Sequence, residues 1–391
     1  MRIEIAEKMK GFEAGIFQIL NEKKIEMQEK GKKVYNFSIG TPDFEPFPHI
    51  IETVSKACMI PENYKYSVKD MDELVEAVVS RYQKRYGVEL EKNEVMSVYG
   101  SQEGMAHIFQ PLINPNDIVL LPNPGYPIFS MGAFIAQANQ WFYPLYEDSN
   151  YLPDFKAIPD NIKKAAKVMV VSYPANPICV TAPDSFYEEL IAFAKENEIM
   201  IIHDNAYSDI VYDGRPGKSF LSFPGAKEVG VEFYSLSKTF NYTGARMSFV
   251  VGNAEMIQAF QTFRSQIDYG IFYPIQMGAI DALTGDYEEE IHKQCLEYQK
   301  RRDALCEGLT EIGWKVPKSE GTMFAWGRIP EGYDSSEAFV MDLLEKTGVI
   351  CTPGSSFGSL GEGYVRFALV LPPETIKEAV EAIRLSGIFE K

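Results

Sequence analysis

The sequence predicts an α/β fold: a mostly parallel sheet covered by helices, joined to a smaller α+β domain. Three observations carry this. Short apolar runs alternate with helical patterns along most of the chain. Several of those runs end in polar or glycine-containing segments, which is where open α/β sheets gather their ligands. At 391 residues the chain exceeds what one simple core accommodates, so two domains are expected.

Taken in order, Phe12 to Lys33 places Phe12, Ile16, Ile19, Leu20 and Ile25 at helical spacing, with Gly31 as a stop. Val34 to Ile39 reads as a short strand running into Gly40-Thr41-Pro42-Asp43-Phe44. Gly40 there either lets backbone approach a ligand or simply makes a turn. Tyr64-Lys65-Tyr66-Ser67 is a turn-like aromatic patch before a helix from Asp72 to Tyr86, closed by Gly87. Val95 to Tyr99 is strand-like, and Gly100-Ser101-Gln102-Glu103-Gly104 leads into the helical pattern Met105 to Gln110. Such a glycine-bracketed turn aims backbone N–H groups at one point and suits an anion, although many bind nothing.

Asp117 to Leu121 is another strand, followed by Pro122-Asn123-Pro124-Gly125-Tyr126. Tyr126 can stack on a planar ligand or pack within its loop. Lys167 to Ser172 reads as a strand ending at Tyr173-Pro174-Ala175-Asn176-Pro177. Thr181-Ala182-Pro183-Asp184 has the form of a capping box and opens a helix to Asn197. The strand Ile199 to Ile202 ends at His203-Asp204-Asn205-Ala206-Tyr207, and Val231 to Leu236 ends at Ser237-Lys238-Thr239. A long helix pattern from Glu288 to Ile312, stopped by Gly313, links the domains. Beyond it, Thr322 to Trp326, Val349-Ile350 and Tyr364 to Leu369 read as strands, and Ser335 to Thr347 and Glu374 to Arg384 as helices. The expected division is a large domain over 46–287 and a small one from 1–45 and 288–391.

A net charge of −17 argues against a nucleic-acid partner, which needs a basic surface. Met1-Arg2-Ile3-Glu4 lacks the apolar core of a signal peptide, and no apolar run reaches transmembrane length. Five cysteines without a Cys-x-x-Cys pair read as thiols in a reducing cytoplasm. Four scattered histidines give a metal centre little support.

The chemistry gathers at Ser235-Leu236-Ser237-Lys238, with Gly244-Ala245-Arg246 just downstream. Two hydroxyls and a guanidinium can hold a phosphate, and an amine beside them can condense with a carbonyl. On spacing alone the stretch reads more readily as a surface loop with a solvated lysine, since lysines are common and mostly exposed. What favours the first reading is that Asn176, Asp204 and Lys238 each fall just past a strand end.

Together these residues resemble the class I/II aminotransferases, the fold-type-I pyridoxal-phosphate enzymes. Besides the lysine motif with Arg246, four stretches match in order: Gly100 to Gly104, Tyr173 to Pro177, His203 to Tyr207, and Tyr364-Val365-Arg366-Phe367. Asp268-Tyr269-Gly270 and Pro274-Ile275-Gln276 are similar to the branch holding alanine-type and diaminopimelate-type aminotransferases. The resemblance implies a seven-stranded-type sheet in the large domain. It also implies that Lys238 forms a Schiff base with pyridoxal 5'-phosphate and serves as general base. Asp204 would pair with the ring nitrogen, Tyr207 and Asn176 with the phenolic oxygen, and Tyr126 with the ring face. Ser101, Gln102, Ser235, Ser237 and Arg246 would hold the phosphate, with Tyr66 reaching it from the neighbouring subunit of a homodimer. Arg366 would clamp the substrate carboxylate, with backbone at Gly40 closing over it. The implied reaction moves the amino group of an α-amino acid to a 2-oxo acid.

Two stretches depart from the family pattern. Ile178-Cys179 stand where Thr-Gly usually follows Asn-Pro, and Ser67 to Met71 lacks a glycine turn. These bear on backbone geometry or thiol chemistry in one loop and on the shape of the entrance. Two other functions fit the same fold. A C–S β-lyase of the cystathionine type needs the same lysine, aspartate and arginine. A non-catalytic cofactor-binding regulator would need a basic DNA-binding segment, which this acidic sequence lacks.

Overall fold

In the computed structural model, which describes residues 3–12 and 16–389, the strands fall into three sheets. In chain order they are β1 (Tyr35–Asn36), β2 (Val95–Val98), β3 (Ile118–Asn123), β4 (Asn139–Pro144), β5 (Ala166–Ser172), β6 (Met200–Asp204), β7 (Gly230–Ser235), β8 (Ser248–Gly252), β9 (Phe324–Arg328), β10 (Val349–Ile350), β11 (Thr352–Pro353) and β12 (Tyr364–Ala368). The main sheet has seven strands in the order β2-β8-β7-β6-β5-β3-β4. β8 runs antiparallel to both of its neighbours, and the remaining pairs are parallel. The expected mostly parallel α/β sheet is therefore present, made mixed by one reversed strand.

Alternation along these strands sorts their side chains between two apolar layers. Val170 of β5, Ile202 of β6 and Phe233 of β7 lie in the core shared with the helices Ser101–Leu112, Pro127–Ile135 and Ala254–Arg264. Met169, Ile201 and Tyr234 lie in the other core, beneath the helices Asp72–Tyr86 and Asp184–Asn197. Both faces being covered, these strands read as continuous apolar runs in the sequence.

The two small sheets join distant parts of the chain. β1 pairs in parallel with β10, Tyr35 opposite Val349, while β11, β12 and β9 form an antiparallel sheet. The helix Glu288–Glu311 runs between the main sheet and this assembly. No helix among the described residues is long and apolar enough to cross a membrane.

Three local expectations need correction. The helix reaching Asn197 starts at Asp184 with Pro183 at its N-cap and no side-chain cap. Thr181 instead donates its hydroxyl (2.7 Å) and its N–H (2.9 Å) to Glu320, a charged acceptor that outcompetes a helix terminus. The first helix spans Ile16–Glu29, and positions 13–15 of the expected pattern lie outside the described residues. Leu20 and Met27, seven residues apart, form its buried seam, whereas Ile19 and Ile25 fall to either side and stay about half exposed. The strand expected over Val34 to Ile39 is ladder-paired only at Tyr35 and Asn36, because β10 offers two residues to pair with.

Candidate active site

Residues that follow β5, β6 and β7 line one cleft of about 410 Å³, roofed by Ser38 to Thr41, Phe324 and Arg366 from the small sheets and their flanks. Lys238 lies on the single helical turn Leu236–Thr239 beyond β7. Its Nζ donates to the carbonyl oxygen of Gly40 at 2.8 Å. A Cβ on Gly40 would sit 2.4 Å from the Phe324 ring, so this approach of roof to lysine requires glycine. Burial, reinforced by the Arg366 and Arg246 charges, lowers the amine to a pKa of about 8.

Asp204 closes β6. Burial lifts its carboxyl to about 6, and its Oδ1 has no hydrogen-bond partner among the described residues. An unmet buried acceptor costs about 1–3 kcal/mol, so a donor from outside the chain is the natural partner. Tyr207, three residues on, packs edge-to-face against Phe324 with centroids 5.8 Å apart, and burial raises its phenol well above the ordinary range.

Arg366 comes from β12 and is buried between two rings, its guanidinium carbon 4.1 Å from the Phe324 centroid and 4.7 Å from that of Phe357. It donates to Asn176 Oδ1 at 2.8 Å and to the Ser38 carbonyl at 3.1 Å, and its Nε is unpartnered among the described residues. Burial lowers its proton affinity. A desolvated guanidinium facing neutral acceptors is poised for a carboxylate, which it can grip through two parallel bonds.

The other end of the cleft is built for an anion. Gly100, at φ +84°, turns β2 into the helix Ser101–Leu112. A Cβ on Gly100 would lie 2.2 Å from Arg246 Nη2, so the guanidinium rests directly on this turn. Arg246 is fixed in the left-handed conformation at φ +56°, with Nη1 donating to the Thr243 carbonyl at 2.9 Å. The Ser101 hydroxyl is buried and unpartnered among the described residues. Ser235 Oγ accepts from the Ser237 N–H at 3.2 Å and from the Ser248 hydroxyl at 3.0 Å. Tyr126 donates to Gln102 Oε1 at 3.1 Å, joining the two loops at the rim.

The cleft thus brings together Gly40, Ser101, Gln102, Tyr126, Asn176, Asp204, Tyr207, Ser235, Ser237, Lys238, Arg246 and Arg366. Tyr66 is not among them. It is 77% exposed and packs against Tyr269 with centroids 5.1 Å apart. Sequence reasoning missed Phe324 and Phe357, which read there as ordinary apolar residues, and Thr243, whose carbonyl seats Arg246. At the Ile178-Cys179 departure, Cys179 adopts φ +62°, a conformation glycine reaches without strain. Its thiol is buried and pushed up to about 12, which makes it a packing group with no thiolate to offer near neutral pH.

The groups lining the cleft suit the parts of pyridoxal 5'-phosphate. Asp204 Oδ1 suits a ring N–H, Lys238 an aldehyde, and the Ser101 hydroxyl with Arg246 and the helix start a phosphate.

Comparison with known proteins gives the family. The family model for aminotransferase class I and II matches residues 32–383. The LL-diaminopimelate aminotransferase of Halothermothrix orenii is 43% identical over 389 residues, 99% of either chain. That of Dehalococcoides mccartyi (strain CBDB1) is 40% identical over 380 residues, 97% of either chain. Among solved structures, substrate-bound BacF from Bacillus subtilis is 37% identical and aligns with a TM-score of 0.94 over 98% of each chain.

Proposed function

For this chain, which belongs to the aminotransferase class I and II family, we propose that Lys238 anchors the cofactor and that LL-diaminopimelate is the amino acid it handles. The protein is a pyridoxal-phosphate-dependent aminotransferase, moving the amino group of an α-amino acid to a 2-oxo acid. Pyridoxal 5'-phosphate supplies a carbonyl that condenses with amines and a cationic ring that draws electrons from the bonds at the attached carbon.

The chain's own residues supply binding, orientation and proton transfer. Burial and the Arg366 and Arg246 charges favour the neutral form of the Lys238 amine, the form Nζ needs to take and return the substrate Cα proton. Asp204 accepts the ring N–H and keeps the ring cationic. Asn176 has its Oδ1 occupied by Arg366, which leaves its amide N–H free, alongside the Tyr207 hydroxyl, to donate to the phenolic oxygen. Tyr126 covers the ring face. Ser101, Gln102, Ser235, Ser237 and Arg246 hold the phosphate. Arg366 fixes the substrate carboxylate beneath the Gly40 backbone. Tyr66 reaches the phosphate of a second copy, for which Tyr64, Tyr66, Val68 and Tyr269, all more than 60% exposed, supply an apolar face.

The substrate reading rests on full-length similarity to the two diaminopimelate enzymes. Cleft chemistry agrees with it. The cations lining the cleft, Lys238, Arg246 and Arg366, all have assigned tasks. The far end of LL-diaminopimelate is itself a zwitterion with no net charge to neutralise. A panel of LL-diaminopimelate, its meso isomer, alanine and aspartate with 2-oxoglutarate tests this. LL-diaminopimelate is expected to lead in kcat/KM by about tenfold or more. Equal turnover of alanine or aspartate would overturn the substrate assignment. Lys238→Ala is expected to lose the imine absorbance of the bound cofactor.

A further inference from the structure

The turn that carries Lys238, Leu236–Thr239, is four residues long. One helical turn does not hold its own shape in isolation, so its position has to be set from outside. Ser235 caps its start, and Gln294 Nε2 donates to the Lys238 carbonyl at 2.9 Å. At its end the buried hydroxyl of Thr239 donates to Asp209 Oδ2 at 2.9 Å.

Asp209 is 4% exposed and divides its two oxygens between different tasks. Oδ1 accepts from Arg85 Nε at 3.0 Å and from Arg81 Nη2 at 3.4 Å, both on the helix Asp72–Tyr86. Oδ2 accepts from Thr239 and, at 3.3 Å, from the Tyr234 hydroxyl of β7. Neutralising two arginines explains the first oxygen and leaves the second unexplained. Asp209 also lies on the loop that begins at Asp204 and carries Tyr207. Burial raises its carboxyl and the two arginines outweigh that, so the net effect holds it below the usual range and it stays ionised.

We infer that Asp209 is a positioning residue for the transamination: through Thr239 it locks the segment bearing Lys238 to the loop bearing Asp204 and Tyr207, and so fixes where Lys238 Nζ sits. A bond held by a buried, doubly compensated carboxylate has little freedom to drift. An error of about 1 Å at the reacting amine can cost on the order of a hundredfold in rate.

This inference rests on Lys238 holding the cofactor, and the test separates the two. Asp209 variants would leave the buried Arg81 with Glu288 alone and take the carboxylate from the half-buried Arg85, and could simply misfold, so the test uses Thr239. In the holoenzyme, Thr239→Val removes the donor at nearly constant volume, and Thr239→Ser keeps it. Three quantities are read: kcat, KM, and the pH midpoint of the cofactor absorbance, which reports the surroundings of a lysine that faces Arg246 and Arg366. Thr239→Val is expected to lower kcat by about tenfold with little change in KM, and to move the midpoint by about half a pH unit. Thr239→Ser should stay within about twofold of the parent. The inference fails if Thr239→Val matches the parent, if Thr239→Ser falls with it, or if Thr239→Val only melts earlier with an unmoved midpoint. Persistence of the absorbance band in Lys238→Ala would instead defeat the anchor assignment, whatever the Thr239 variants do.

Discussion

Lys238 and Asp204 both sit in surroundings that penalise their charged forms, and the sign of each penalty is measurable. The amine has a folded pKa of about 8 against 10.5 unfolded. Below pH 8 the folded, cofactor-free protein must hold a buried ammonium, at a cost on the order of 3 kcal/mol. That cost disappears as pH rises from 8 to 10.5. Lys238→Met should therefore stabilise the cofactor-free protein at pH 7 by roughly 1–3 kcal/mol, with the advantage shrinking above pH 8. Urea unfolding at pH 7 and pH 10 checks this; an equal advantage at both would refute it. Asp204 behaves conversely, its penalty being complete above about pH 6 and absent below 3.8. At this scale the sequence was informative for groups at strand ends, since position alone marked Asn176, Asp204 and Lys238. It was silent on Asp209, because an aspartate bonded to a residue 30 positions away reads like any surface charge.

Among the elements, the turn from β2 into the helix Ser101–Leu112 leaves no room for a side chain at Gly100. Gly100 combines a positive φ with a guanidinium where its side chain would go. Gly100→Ala should displace Arg246, weaken cofactor affinity by about tenfold or more, and destabilise the cofactor-free fold by roughly 1 kcal/mol. Titrating cofactor into the cofactor-free variant reads the first effect and thermal melting the second; unchanged affinity would argue against the phosphate assignment. The strands at the heart of the sheet were legible because burial on both faces makes them uniformly apolar. β4 was not, since this edge strand (Asn-Gln-Trp-Phe-Tyr-Pro) is largely part-exposed and has neither a clean alternation nor a full apolar run. β8 escaped for another reason: a five-residue strand lies close behind the Lys238 loop and, in the sequence, blends into it. Cap chemistry misled at Thr181, where a carboxylate from 139 positions away takes the hydroxyl.

At the scale of the whole molecule, the proposed pairing through the exposed apolar surface near Tyr66 has a direct test. Sedimentation at micromolar concentration should give roughly twice the 44.2 kDa chain mass. A monomer that retains full cofactor affinity would remove Tyr66 from the phosphate site. The substrate clamp has a further implication, for the order in which the protein matures. Arg366 reaches the Ser38 carbonyl across 328 positions, and β1 waits for β10 across a similar span. Contacts this distant close late, after the sheet that bears Lys238 and Asp204 can already have formed. A chain emerging from the ribosome can thus assemble the cofactor's half of the cleft first. The ability to grip a substrate then arrives when Arg366 of β12 meets the Ser38 carbonyl, which joins segments from near the two ends of the polypeptide.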